Sequence, residues 1–325
     1  MQRIDAHTHI HAQPEDIAIL KRLNLKLMNI CLAGEDNDHW RKKHLQPYRA
    51  LAEKESDTFG WCTSFSTPDF VESHDSYVER IITDLQADFA HGAVACKIWK
   101  NIGMELKDPS GRYVMVDDPM FEPILSWMEQ NGHPMLMHIG EPYACWQPLT
   151  PATPHYGYYS QNPQWHMYGR TDVPDHAAQM ASRDHVLERH PRMNLVGAHL
   201  GSLEYDLNEL AKRLDRYPNF AVDTAARLAD LAWKDPEEVR AFITKYQDRI
   251  LWGTDLVIPA PEASSPKDRR AIHDEMQDTW TREYAYYATR ETVNVHGRPV
   301  KGLGLPPAIL EKILTNNVRR WYPGL

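Results

Sequence analysis

Along the chain, apolar runs of five to seven residues alternate with longer stretches whose apolar positions recur at helical spacing. The runs fall at residues 3–7, 26–32 (KLMNICL), 59–65 (FGWCTSF), 93–99 (AVACKIW), 134–139 (PMLMHI), 194–199 (NLVGAH), 220–224 (FAVDT) and 250–255 (ILWGTD). Each is short enough for a buried strand, and no tight hairpin turn joins one to the next, so the pattern predicts parallel strands linked by crossover helices. Helices are predicted at 75–91, 118–131, 204–217, 235–248, 267–289 and 306–321. The second opens on Asp117-Asp118-Pro119, and the first two end at Gly92 and Gly132, which is the start and stop chemistry that helices favour. Eight strands with intervening helices predict an α/β fold, a single (β/α)8 TIM-like barrel over residues 1–325; an open doubly wound sheet is the alternative that a strand count leaves standing.

Two stretches interrupt the alternation. Residues 141–175 (EPYACWQPLTPATPHYGYYSQNPQWHMYGRTD at the core) form a long aromatic loop after the fifth run, and loops of that length inside a domain are usually functional. Residues 256–267 form a second, shorter one after the eighth run.

Composition narrows the partners. The 325 residues carry a net charge of −9, 25% charged residues and 17 histidines, and show no basic stripe, so neither nucleic acid nor an anionic membrane surface is expected as partner. No run approaches the roughly 18 apolar residues of a membrane span, and no leader-like segment precedes Ile4, so a cytoplasmic protein is expected. Cys31, Cys62, Cys96 and Cys145 are dispersed without a CxxC pair and are expected to be reduced core residues. Homo-oligomerisation is left open.

The remaining information lies at the ends of the runs. In Asp5-Ala6-His7-Thr8-His9 the two imidazoles are two residues apart, so a strand would present both on one face. In a barrel the chemistry gathers at the C-terminal strand ends, and these supply His7 and His9, then Lys97, His138, His199 and Asp255. Each has a plain structural alternative: His138 as a core histidine bonded to a carbonyl, His199 or Asp255 as a cap of the next helix, Lys97 as a stem reaching solvent. Asp223 and Arg227 in VDTAAR suit a structural or substrate-contacting role, and His11 suits a solvated loop. Convergence of five run ends on groups that bind metals or move protons makes coincidence the poorer explanation.

With that ordered set, His7-x-His9, Lys97, His138, His199 and Asp255, the chain resembles the amidohydrolase superfamily. It is most similar to the amidohydrolase-related branch that includes aminocarboxymuconate-semialdehyde decarboxylase. The WGTD run is similar to the strand-end aspartate of that branch, and ILTNNVRRWYPG to its closing helix. A chain that opens on the first strand and closes after the last helix is expected to lack the flanking β-sandwich of urease-like members.

The resemblance implies His7, His9, His138 and Asp255 as ligands of one divalent metal, with His199 beside it and Asp255 and His199 as the catalytic pair. Zn2+ is expected first, and Mn2+ or Fe2+ also suit such an N/O set. Where relatives hold a second metal, a carboxylated lysine at the fourth strand end bridges the two; Lys97 stands there, although the decarboxylase-like branch generally lacks the bridge. The expected substrate is a small molecule. Tyr143, Trp146, Arg170 and Arg227 are candidate contacts for it, with Arg183 a further candidate to clamp a carboxylate. The leading expectation is a metal-dependent hydrolase of a C–N or C–O bond in an amide, lactone or ester. A metal-dependent non-oxidative decarboxylase and a non-catalytic, metal-containing barrel are the alternatives.

Overall fold

A computed structural model describes residues 1–34, 39–260 and 265–325. Eight parallel strand positions form the barrel expected from the alternation. The strands are β1 (Arg3–Ile10), β2 (Leu25–Ile30), β3 (Phe59–Ser64), β4 (Ala93–Ile98), β5 (Met135–Met137), β6 (Leu195–Gly197), β7 (Phe220–Asp223), β8 (Ile250–Leu251) and β9 (Leu256–Ile258), and the order around the sheet is β8-β7-β6-β5-β4-β3-β2-β1-β9. The last two are one strand position broken in the middle. β8 pairs with β7, β9 pairs with β1, and between them Ala6 N–H donates to the Trp252 carbonyl (2.9 Å) and Asp255 N–H to that of His7 (2.8 Å). Those two bonds close the barrel.

The predicted loop at 256–267 therefore begins as a strand, and residues 261–264 of it lie outside the described residues. The loop at 141–175 is not structureless either. It contains short helices at Tyr143–Trp146, Tyr156–Gln161 and Pro163–Trp165, because its aromatic residues make a small core of their own with Met104 and Cys145. All four cysteines are buried and free.

Strand periodicity stacks apolar residues beneath polar ones. Ala95 lies below Lys97, Leu136 below His138 and Ala221 below Asp223, each pair two apart on one face. The lower members join Ile4, Met28, Val196 and Leu251 in an inner cluster, which Val318, Trp321, Tyr322 and Leu325 plug from below. A larger apolar layer lies between strands and helices. On β1 the alternation should break, since Ile4 and Ala6 belong to the inner cluster while His7 and His9 have the opposite parity. A register shift against β2 between Asp5 and Thr8 inserts the extra residue and turns the histidines inward.

Helix starts follow the capping chemistry: Ser73, Asp118 and Asp235 each accept a backbone N–H of the first turn. The helix predicted from 204 begins only at Leu207, because left-handed residues occupy the preceding turn. The helix predicted over 306–321 contains a wider turn at Lys312–Asn316. Just after it, the Asn317 amide donates to the carbonyls of Gln247 and Ile250 (both 2.7 Å), tying the chain end to the foot of β8. A hairpin, β10 (Thr292–Val295) with β11 (Arg298–Lys301), was not predicted; His296 and Gly297 both take positive φ in its turn.

Helix Pro266–Ala288 buries a carboxyl against β8. Glu283, 5% exposed, accepts a hydrogen bond from Trp252 Nε1 (2.8 Å), and burial pushes its carboxyl up from 4.5 to about 8. An acid whose folded value is raised is unpenalised below its unfolded value and costs stability increasingly as pH rises through the folded one. Glu283→Gln keeps the acceptor for Trp252 and removes the charge. It is expected to melt with the parent protein near pH 4.5 and to be more stable by roughly 2–4 kcal/mol above pH 8, a pH-dependent gap that thermal denaturation series of the two proteins would measure.

Candidate metal centre

Three of the four histidines are oriented by a bond from Nδ1. His7 Nδ1 donates to Asp223 Oδ2 (2.7 Å), His9 Nδ1 to the Ile30 carbonyl (2.8 Å) and His199 Nδ1 to the Ala225 carbonyl (2.9 Å). Acceptors at Nδ1 fix the proton there and leave each Nε2 with a lone pair, the arrangement that metal-ligating histidines require. The Nε2 atoms of His7 and His9 lie 3.5 and 3.3 Å from Asp255 Oδ1. Ring centroids of His7 and His199 are 4.9 Å apart, and those of His138 and His199 4.3 Å. His138 Nε2 is buried with no hydrogen-bond partner, so its ring nitrogen is uncommitted beside the other histidines.

The electrostatics agree with the geometry. Burial lowers the His7, His138 and His199 imidazoles, His138 and His199 far below the usual histidine value, so all three stay neutral. Burial acts against ionising Asp255, but the imidazole groups of His9, His7 and His199 around it outweigh that and hold it well below the carboxylate range. Asp223 is likewise lowered, burial being outweighed by His7. The residues fit a divalent cation: His7, His9 and Asp255 each offer a ligand atom within 4.8 Å of the other two, and the unpartnered His138 imidazole packs beside His199 next to them.

Two of the residues take strained backbone. His199 has φ 59° and Asp255 φ 65°, the left-handed region that side chains enter at a cost of about 1 kcal/mol or more. Asp223 holds the first in place: its Oδ1 accepts the N–H groups of His199 (2.7 Å) and Ala225 (3.1 Å) while Oδ2 takes His7. Gly253 is required beside the second, since a Cβ there would lie 2.9 Å from that of His7.

Lys97 lies inside the cluster, 1% exposed, with Nζ 3.4 Å from His7 Nε2. Burial lowers its amine to about 8, with Asp223 and Asp255 opposing. A neutral amine is the form that reacts with carbon dioxide, so the position has the chemistry that lysine carboxylation needs.

The substrate-side candidates separate. Arg227, 6% exposed, donates from Nη1 to the Ala226 carbonyl (2.8 Å) and leaves Nε without a partner; its charge also lowers both His138 and His199, which sets it beside the cluster. Tyr143 stacks on Tyr205 (4.3 Å) and lines a cavity of about 360 Å³ next to the mouth. Trp146 packs against His176 within the loop's own core. Arg170 pairs with Asp172 two residues on (2.9 Å) and is exposed on the loop surface. Arg183 is committed to Asp184 and to the Gly201 carbonyl. His11 is half-buried, its ring 5.0 Å from Tyr48 and so packed rather than solvated.

Sequence reasoning undervalued two groups. Asp223 was assigned no metal-site role, and its only sequence signal is its place at the end of a strand run. Lys100 pairs with Glu141 under the ring of Trp165 (3.8 Å) and donates to the Tyr158 hydroxyl oxygen (3.0 Å), pinning the 141–175 segment to the barrel. Nothing in the spacing of KIWK marks that lysine.

Residues 75–324 match the profile of a family described as Amidohydrolase. Among curated proteins none matches. Among solved structures, the chain is similar to an uncharacterized TIM-barrel protein from Bordetella bronchiseptica (15% identity, 100% of this chain and 99% of that one, TM-score 0.56). It is also similar to 2,6-dihydroxybenzoate decarboxylase from Rhizobium (16%, 99% and 99%, TM-score 0.56) and to 4-oxalomesaconate hydratase from Rhodopseudomonas palustris (13%, 99% and 96%, TM-score 0.53). At such identities the likeness speaks to the barrel alone, and no helix among the described residues is long and apolar enough to cross a membrane. The profile spans well over half the sequence, and on that ground the chain belongs to the amidohydrolase family.

Proposed function

We propose that this protein is a metal-dependent hydrolase that opens a C–N or C–O bond of a small, carboxylated substrate such as an amide, lactone or ester. The observation that carries the reading is Asp255, an ionised carboxylate set between the Nε2 atoms of His7 and His9 with its side chain 30% open to the mouth. His7, His9, His138 and Asp255 would hold one divalent ion, Zn2+ before Mn2+ or Fe2+, with a second if Lys97 is carboxylated. Such an ion, when bound, acidifies water and polarises a carbonyl.

The chain's own groups then divide the work. Asp255, ionised in the resting state, orients the attacking water and relays its proton to the leaving group. His199 presents a lone pair at Nε2, since Nδ1 is committed to the Ala225 carbonyl, so in its resting state it accepts a hydrogen bond from the nucleophile rather than donating one to the carbonyl. Arg227, a buried cation with an unused donor, supplies the countercharge for a substrate carboxylate. The barrel as a single domain is part of the same proposal.

Arg227 also favours a second reading, non-oxidative decarboxylation of an aromatic or unsaturated acid, because it too needs an anion beside the histidines. Product analysis separates them. Metal-loaded protein and the His7→Ala variant are given panels of amides, lactones, esters and aromatic carboxylic acids. Acid plus amine or alcohol, or a ring-opened lactone, formed only by the parent protein supports hydrolysis. Carbon dioxide release overturns hydrolysis in favour of the second reading, and equal turnover by both proteins removes the metal from the chemistry.

A further inference from the structure

Beyond the histidine cluster, a second set of ligand-type groups meets where three loops of the barrel mouth converge. His155 comes from the segment after β5, Glu204 from the turn after β6, and Asp230 from the short helix Leu228–Ala232 after β7. One ligand atom from each lies within 4.8 Å of the other two, and His155 Nε2 is 2.9 Å from Asp230 Oδ1.

An acidic cluster alone says little, but the free valences here are specific. Glu204 is 2% exposed. Its Oε1 accepts the Tyr143 N–H (2.8 Å), while Oε2 is buried and unpartnered, as is Asp230 Oδ2. Arg227, a buried cation whose charge acts on both carboxylates, forms no ion pair with either among the described residues and spends its Nη1 on a carbonyl. A buried and a nearly buried carboxylate thus share one imidazole and the unpaired charge of Arg227, and burial outweighs that charge and raises the Glu204 carboxyl. A buried acceptor without a donor costs about 1–3 kcal/mol, more if charged. The cavity of about 360 Å³ beside them gives a small ligand access.

We propose that His155, Glu204 and Asp230 form a separate divalent-cation site, distinct from the histidine cluster. One imidazole and two carboxylates form the borderline N/O set that Zn2+ or Mn2+ accepts, and three protein ligands leave positions for water from the cavity. A cation there cross-links the loops after β5, β6 and β7, and so fixes the 141–175 segment beside the mouth. The inference does not depend on which reaction the protein performs.

Metal counting tests it. Full-length protein is stripped with a chelator, reloaded with excess Zn2+ or Mn2+, desalted and analysed for metal per chain, with circular dichroism melts to establish that each variant is folded. Glu204→Gln and His155→Ala are each expected to hold one ion fewer than the parent protein. The double variant His7→Ala/His9→Ala is expected to keep the ion that Glu204→Gln loses. His155 lies in a loop and is only half-buried, so its variant keeps the test open if Glu204→Gln does not fold. An unchanged metal count in the folded variants overturns the site, whatever the histidine cluster binds; loss of all metal in His7→Ala/His9→Ala overturns its independence.

Discussion

Replacing Asp255 by Asn is expected to lower kcat by about 10²–10⁴-fold with metal saturated, the range that a positioned acid or base contributes. The choice of asparagine matters. Asp255 sits at φ 65°, and asparagine is the residue other than glycine that enters this region most readily, so the backbone and its bond to the His7 carbonyl should persist. The amide also keeps an oxygen between His7 and His9. What it loses is the charge and the ability to accept a proton. Because Asp255 is held far below the carboxylate range, wild-type activity should not fall through loss of this base until pH drops well below 4, so the variant's deficit should be constant across neutral pH. Turnover measured against metal content per chain checks this; a kcat within tenfold of the parent at equal metal would remove Asp255 from the proton path.

The barrel was legible because its signal is periodic. Runs of five to seven apolar residues, each followed by a helical stretch, need no knowledge of distant partners, and the polar residue ending a run sits on the same face as an apolar one two positions earlier, as Ala95 and Lys97 or Leu136 and His138 do. Features set by long-range pairing were not legible. The bulge in β1 depends on how β2 aligns with it, and the break between β8 and β9 depends on β1 reaching both halves. Arg170 shows the pull of a local partner: Arg-Thr-Asp already contains the carboxylate it pairs with, a short exposed ion pair that needs no distant group. The candidate site was readable in its histidines, whose spacing and strand-end positions are local. Its supporting groups were not, since Arg227 and Glu204 gain meaning only from what the fold leaves unpaired around them.

Asp223 is where that distinction has the largest consequence for stability, and two substitutions separate its roles. Asp223→Ala removes one acceptor from three buried donors: His7 Nδ1, His199 N–H and Ala225 N–H. It also frees His199 from the contact that holds its left-handed backbone. A loss of about 3–5 kcal/mol is expected, the scale on which a buried charged partner is missed, and thermal or denaturant unfolding would measure it. Asp223→Asn should behave differently. Its carbonyl can still accept both backbone N–H groups, so most stability should remain, but its amide then faces His7 Nδ1 with a donor. His7 must move its proton to Nε2, the atom directed at the centre, and a protonated nitrogen cannot bind a metal. The asparagine variant is therefore expected to melt close to the parent while binding Zn2+ about 10–100-fold more weakly, as titration of chelator-stripped protein would report. A variant that binds zinc as tightly as the parent would mean that the carboxylate at 223 braces the turn after β6 without selecting the tautomer of His7.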